Sequence, residues 1–210
     1  MKISIYQLKP AFQGLLRPLA RRLAAAGVTA NAVTILAMAI SLLLGGWLYL
    51  AGQDSPVWYL LVPLWMFLRM ALNAVDGMLA REFGQKTPLG AYLNELTDVI
   101  SDAALYLPFV WVVPLSWQAV CFVIGLSVVS EMAGALGPMV GAPRQYDGPM
   151  GKSDRAFLFG LLGLWAGLAG GKLPEWVFWV MAIAVPFAIA LNIFNRVRGG
   201  LAAISSRKES

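Results

Sequence analysis

Long apolar stretches govern what this chain can become. Six of them follow one another, at about residues 30–51, 57–80, 88–112, 115–140, 154–171 and 174–196. Each supplies roughly the 17–25 residues that a helix needs to cross a bilayer. Turn signals punctuate them: Gln53, Asp54, Ser55 and Pro56 after the first, Pro114 after the third, the run from Pro143 to Gly151 after the fourth, and Gly170-Gly171 after the fifth. With 59% hydrophobic residues, only 13% charged ones and a mean hydropathy of +0.70, an ordinary soluble domain is excluded. The expected fold is an all-α integral membrane protein: six transmembrane helices preceded by an N-terminal amphipathic interfacial helix. No soluble domain or internal repeat is visible, and a transporter ranks low for lack of inverted repeats or broken helix pairs.

Residues 1–27 form the leading element. Leu8, Phe12, Leu15, Leu16, Leu19 and Leu23 recur at helical spacing, with Lys9, Gln13, Arg17, Arg21 and Arg22 between them. That pattern describes a helix lying in the membrane interface, bent at Pro10 and Pro18; a solvated arm is the alternative. Prolines and arginines interrupt its apolar residues, so it is not a cleavable leader by pattern. Residues 28–198 make the membrane domain and 199–210 a cytoplasmic tail. Cations set the orientation. Lys2, Lys9, Arg17, Arg21 and Arg22 precede the first span; Arg81 and Lys86 lie between the second and third; Arg144, Lys152 and Arg155 lie between the fourth and fifth; Arg196, Arg198, Arg207 and Lys208 follow the sixth, and only Lys172 falls on the other side. By the positive-inside rule both termini are cytoplasmic, in a bacterial-type inner membrane. The net charge of +5 reports these loops and contact with anionic lipid rather than nucleic acid. Trp58, Trp65, Trp111, Trp117, Trp176 and Trp179 fall mainly near the opposite span ends, as an aromatic belt does.

The available chemistry is narrow. There is no histidine, which excludes zinc–imidazole sites, Ser-His triads and histidine proton shuttles, and the lone Cys121 leaves no disulfide framework. Carboxylates, amides and cations remain. Asp76 sits near the end of the second span, and Glu95, Asp98 and Asp102 lie inside the third. A carboxylate at the bilayer centre costs roughly 2.5–3.5 kcal/mol on insertion scales, so such a group needs a metal, a partner or a wet cavity. Asn73, Asp76 and Ala80 share one helical stripe, and Asn94, Asp98 and Asp102 share another, each running about 12 Å along its helix. A short connection makes the two helices antiparallel neighbours, so the stripes face each other near the cytoplasmic headgroups. Gly77 and Gly90 remove side chains where a ligand approaches. Asn and Asp in spans also knit helices together through hydrogen bonds, and that reading stays open. Arg69 and Glu131, equally costly in lipid, should face the protein interior or each other.

The run from Asn73 to Asp98 resembles the CDP-alcohol phosphotransferase (CDP-alcohol phosphatidyltransferase) family, whose signature reads D-x2-D-G-x2-A-R-x8-G-x3-D-x3-D. This chain places Asn73, Asp76, Gly77, Ala80, Arg81, Gly90, Asn94 and Asp98 at every one of those spacings. The likeness extends to the architecture and to the V-T-x-N-x-x-T run at Val28, Thr29, Asn31 and Thr34 that leads into the first span. It implies that residues 28–198 are a six-helix CDP-alcohol phosphotransferase domain. Such a domain moves a phosphatidyl group from CDP-diacylglycerol or a related CDP-alcohol to an acceptor alcohol, with release of CMP, in phospholipid biosynthesis. The resemblance further implies Asp98 as catalytic base, and Asp76, Asp98, Asn73 and Asn94 as ligands to Mg2+ or Mn2+. It gives Asp76, Gly77, Ala80, Arg81 and Gly90 to the nucleotide, and Lys152, Arg155 and Arg196 (with Arg144 a weaker candidate) to the acceptor's head, and it implies a homodimer. Those cations favour a phosphorylated acceptor, because guanidinium forks suit phosphate; the alternative is that they only obey the positive-inside rule. The loop that holds Lys152 is not a Walker A loop, since Tyr146 stands where a glycine is required.

The family's first and third aspartates are Asn73 and Asn94 here. An amide oxygen can ligate a hard cation but adds no charge, which points to one ion, or to an ion that binds only with the substrate. Asp102 or Glu95 can compensate, although Glu95 points about 100° away from Asn94 on an ideal helix. Two functions therefore stay open: the transferase, and a catalytically impaired CDP-lipid-binding membrane protein that acts through a partner.

Overall fold

The computed structural model describes residues 5–146 and 148–208, with side chains over 12–146 and 148–205. Lys2, and the side chains of Leu8, Lys9, Pro10, Arg207 and Lys208, lie outside the described residues. The described chain is helical throughout: α1 (Ile5–Ala25), α2 (Ala30–Ala51), α3 (Leu61–Glu82), α4 (Pro88–Tyr106), α5 (Trp117–Ala135), α6 (Lys152–Leu168), α7 (Trp176–Trp179) and α8 (Val185–Lys208). Short 3-10 turns at Pro56–Leu60, Leu107–Trp111 and Gly137–Val140 and a π turn at Val180–Ala184 extend them. Among the described residues there is no strand, only an isolated bridge between Val113 and Lys172.

Local chemistry explains where the helices begin. Thr29, Thr87 and Ser116 have extended backbones, and their hydroxyls accept from Ala32 N at 3.1 Å, Gly90 N at 2.9 Å and Ala119 N at 3.2 Å, which satisfies one orphan donor at the start of α2, α4 and α5. Asp154 does the same in reverse for α6, accepting from Gly151 N at 3.0 Å. Helix α8 runs on to Lys208, through most of the segment 199–210.

Four helical segments are long and apolar enough to cross a membrane: Ala30–Ala51, Pro56–Glu82, Trp117–Val140 and Trp176–Ser205. Only 28% to 39% of each apolar window is buried inside the protein, so most of that surface faces outward, as lipid contact requires. Leu43, Leu50, Leu168 and Phe187 are examples, each more than 70% exposed. The remaining two expected segments are helical with a different composition: α4 carries Glu95, Asp98 and Asp102, and α6 has 17 residues.

The interior combines small-residue contacts with aromatic rings. A side chain at Gly45 of α2 would strike the backbone of Ala104 in α4, and one at Gly163 of α6 would come within 2.9 Å of Val62 Cβ, so both glycines permit close helix approach. Tyr106 stacks on Phe159 at 3.8 Å, and Phe109 packs edge-on against Tyr59 and Phe159. Trp65 departs from the aromatic belt: it is buried and donates from Nε1 to Ser41 Oγ at 2.9 Å, whereas Trp58, Trp111, Trp117, Trp176 and Trp179 are exposed. Helix α1 rests on α3 through Ala20, which packs with Val75, Met78 and Leu79, and is fastened by the fork of Arg17 on Glu82 at 3.0 and 3.1 Å. Its Leu15 and Leu19 stay exposed.

Candidate active site

A cleft of about 320 Å3 opens where the start of α2, the end of α3 and the first turns of α4 meet. Gln85 holds that junction together. Its Oε1 accepts from Ala30 N at 2.7 Å and its Nε2 donates to Val28 O at 3.3 Å, so the loop after α3 is pinned to the first turn of α2. On the floor, Thr34 Oγ1 lies 2.8 Å from Asp76 Oδ2 and 3.0 Å from Ala30 O, and its single hydrogen serves one of the two. Asp76 is buried, reachable only through the cleft.

The glycines have assignable neighbours. A Cβ at Gly77 would stand 2.8 Å from Arg81 Nη2, and one at Gly90 would stand 2.7 Å from Asn31 Oδ1. Gly77 thus lets the Arg81 guanidinium lie back along α3, and Gly90 leaves room for the Asn31 amide. Of the residues expected from sequence, Asp76, Gly77, Ala80, Arg81, Gly90 and Asn94 all line this one cleft. Asn31, Thr34, Gln85 and Lys86 join them. The first two belong to the V-T-x-N-x-x-T run, whose hydroxyl and amide were the available signal; Gln85 and Lys86 carried none.

Asn73 and Asp98 do not line the cleft but sit beside it, in an ionic cluster between α3, α4 and α6. Asp98 stands one helical turn after Asn94, which lines the cleft. Arg69, 4% exposed, donates from Nη2 to Asp98 Oδ1 at 3.1 Å and pairs through Nη1 with Asp102. Asn73 Nδ2 donates to the same Asp98 oxygen at 3.3 Å, and the Lys152 ammonium pairs with the other. Arg69 therefore faces the protein interior as expected, on Asp98 and Asp102 rather than on Glu131.

Glu131 anchors a second cluster, which sequence reasoning did not assemble. Arg155 Nη2 lies 2.7 Å from its Oε1, Arg196 Nη1 lies 3.4 Å from the same oxygen, and Arg144 Nη2 lies 3.5 Å from Oε2. Arg144 also reaches Glu95 Oε2 at 2.5 Å and stacks over the Tyr146 ring at 4.4 Å. Of the three expected acceptor cations, the structure brings only Lys152 to Asp98, while Arg155 and Arg196 are buried on Glu131.

A divalent cation finds a limited donor set. Among the described residues no three acidic, histidine or cysteine side chains gather as a metal group. Asp76 and Asn94 present oxygen donors to the cleft, while Asp98 and Asn73 are engaged with Arg69, Lys152 and each other beside it; oxygen donors of this kind suit a hard cation such as Mg2+ or Mn2+.

The fold and the site together define an all-helical membrane protein with a polar cleft where its helix ends meet. The sequence matches the CDP-alcohol phosphatidyltransferase family over residues 27–190, and the chain belongs to that family. It is 49% identical over 177 residues to "Inner membrane protein YnbA" of Escherichia coli (strain K12), covering 84% of this chain and 85% of that one. It is 26% identical over 196 residues to a phosphatidylinositol phosphate synthase of Mycobacteroides abscessus, covering 87% and 83%. The fold is shared with phosphatidylinositol phosphate synthase of Mycobacterium tuberculosis, solved with CDP-DAG bound, at a TM-score of 0.69 and 21% identity over 87% of this chain and 92% of that one. A second structure of that enzyme, in complex with manganese and citrate, superposes with a TM-score of 0.66 at 22% identity over 88% of each chain.

Proposed function

We propose that this chain is a six-span transferase of the bacterial inner membrane, with both termini cytoplasmic, that passes a phosphatidyl group from CDP-diacylglycerol or a related CDP-alcohol to a small alcohol and releases CMP. One observation carries the reading: six of the eight signature positions converge on a single cleft, with Asp98 one helical turn beyond Asn94. The apolar helices α2, α3, α5 and the α7–α8 rod provide four crossings, and α4 and α6, packed among them, provide the other two. The E. coli relative's name supports the inner membrane.

In this reading Asp76, Gly77, Ala80, Arg81 and Gly90 seat the nucleotide, and the bared backbone at Gly77 and Gly90 lets it approach closely. Asp98 takes the proton of the acceptor hydroxyl, whose oxygen attacks the phosphorus next to the lipid. The bond from that phosphorus to the CMP oxygen breaks, and CMP leaves with the electron pair. Arg69 and Asn73 hold the Asp98 carboxylate in place for this task. A divalent ion on Asp76, Asp98, Asn73 and Asn94, as the manganese-bound relative suggests, would neutralise the pyrophosphate and stabilise the leaving group.

A second reading has its own observation. The family's first and third aspartates are asparagines here, and Arg69, Asn73 and Lys152 all engage Asp98. That arrangement suits a protein that binds a CDP-lipid without turning it over. Purified protein in lipid nanodiscs, given CDP-diacylglycerol, Mn2+ and a panel of alcohols, separates the two: CMP release establishes the transferase, whereas CDP-diacylglycerol binding without CMP establishes the second. In the latter case, Asn73→Asp with Asn94→Asp tests whether the asparagines are the cause.

A further inference from the structure

We propose that Lys152 is a tethered cation that holds Asp98 in the place of a divalent ion, so that an ion reaches this carboxylate only by displacing the ammonium and binds well only together with the nucleotide's phosphates. This inference rests on the transferase reading above and deepens it by saying how the same site admits its metal.

Asp98 is fully engaged by the protein's own groups. Its Oδ1 accepts from Arg69 Nη2 at 3.1 Å and from Asn73 Nδ2 at 3.3 Å, and its Oδ2 pairs with the Lys152 ammonium. Asp102, one turn further along α4, takes the other arm of Arg69. Two carboxylates thus face two cations, and this group of four is formally neutral. Asn73 fits the arrangement because its amide can donate. An aspartate at that distance would set two like charges side by side and call for a cation between them.

The fold fixes Lys152 in this position. It is the first residue of α6, where the positive end of the helix dipole repels a cation, and Asp98 offsets that repulsion. The loop before it is anchored: Gly148 adopts φ +125°, a Cβ there would stand 2.7 Å from Asn192 Nδ2 on α8, and Asp154 accepts from Gly151 N at 3.0 Å. The two cations on Asp98 differ in how easily they let go. The Arg69 side chain is 5% exposed and that of Lys152 31%. A flexible amine in reach of water can be exchanged, whereas freeing a buried guanidinium strands its charge.

The rest of the cleft offers a bare ion little negative charge. Exposed Arg81 and Lys86 line it, Glu95 is paired with Arg144, and Asp76 lies against the Thr34 hydroxyl as the one signature carboxylate outside an ion pair. A divalent ion therefore needs phosphate oxygens as well as the carboxylate that Lys152 gives up. The donor's own charge then offers the freed ammonium a replacement for Asp98.

The test titrates Mn2+ into full-length protein in nanodiscs, with and without CDP, and counts bound ion by electron paramagnetic resonance. Wild type should bind Mn2+ alone only in the millimolar range, and about tenfold tighter or more with CDP. Lys152→Gln should bind Mn2+ alone about tenfold tighter than wild type, Lys152→Arg should not, and adding Asp98→Asn to Lys152→Gln should remove the gain. Micromolar binding of Mn2+ alone by wild type, an unchanged affinity in Lys152→Gln, or a gain that survives Asp98→Asn overturns the proposal. Should Lys152→Gln fail to fold, wild type decides: micromolar affinity for Mn2+ alone overturns the proposal, and millimolar affinity that CDP tightens upholds it. The titrations with Mn2+ alone involve no lipid donor or acceptor, so they still judge Lys152 if CDP-diacylglycerol binding and CMP release both fail, a result that would end the transferase reading instead.

Discussion

Asp98 and Glu131 are both carboxylates placed within helices and ringed by cations, yet their surroundings differ. The Asp98 side chain is 18% exposed and borders the cleft, and one of its partners, Lys152, is a flexible amine, 31% exposed. The Glu131 side chain is 8% exposed and held by two arginines that are themselves buried. The contrast is one of access. The Asp98 carboxylate is partly solvent-reachable and pairs with a partly exposed ammonium, whereas the Glu131 carboxylate is locked between buried guanidinium groups and ties α6 and α8 to α5.

Four substitutions test this contrast. Asp98→Asn, if Asp98 is the base, should lower CMP release by roughly 10²–10⁴-fold while CDP-diacylglycerol binding stays within a few-fold; an equal loss of binding would place Asp98 in recognition instead. Glu131→Ala strands the arginines, and a midpoint measured by thermal unfolding in detergent should fall in line with a loss of about 3–5 kcal/mol; an unchanged midpoint would deny the cluster its structural role. Gly90→Ala pushes the new methyl to within 2.7 Å of Asn31 Oδ1, and calorimetry should find CDP-diacylglycerol binding weakened by about tenfold, near 1.4 kcal/mol, with folding intact. Arg17→Gln, which removes an exposed pair, should leave CMP release and the thermal midpoint within error; a clear loss of CMP release would mean that α1 helps to shape the cleft.

Much of the molecule was legible because the relevant signals are local. Helix α2 begins and ends at residues 30 and 51, and α4 begins at residue 88, as their hydropathy says. The spacing of Asp76, Gly77, Ala80, Arg81, Gly90 and Asn94 brings them to one cleft because helical periodicity across a short turn is enough to align them. Trp65 was misjudged because position near a span end does not reveal which face is turned inward; its indole N–H found Ser41 on a neighbouring helix. Arg155 and Arg196 appeared available because a cation in a loop or at a helix end is normally solvated, and nothing near them in sequence signals Glu131, 24 residues before Arg155 and in another helix.

The helical, membrane-spanning class and the family motif were already settled by the order of the residues, since apolar length and periodicity are properties of contiguous positions. Tertiary structure alone decided which cation neutralises which acid. Lys152 meets Asp98, and Arg155 and Arg196 meet Glu131, only after α4, α5, α6 and α8 have packed. Ion pairs act over a few ångströms between residues that the chain holds far apart, so their choice is fixed by how the helices pack and not by any one helix's pattern.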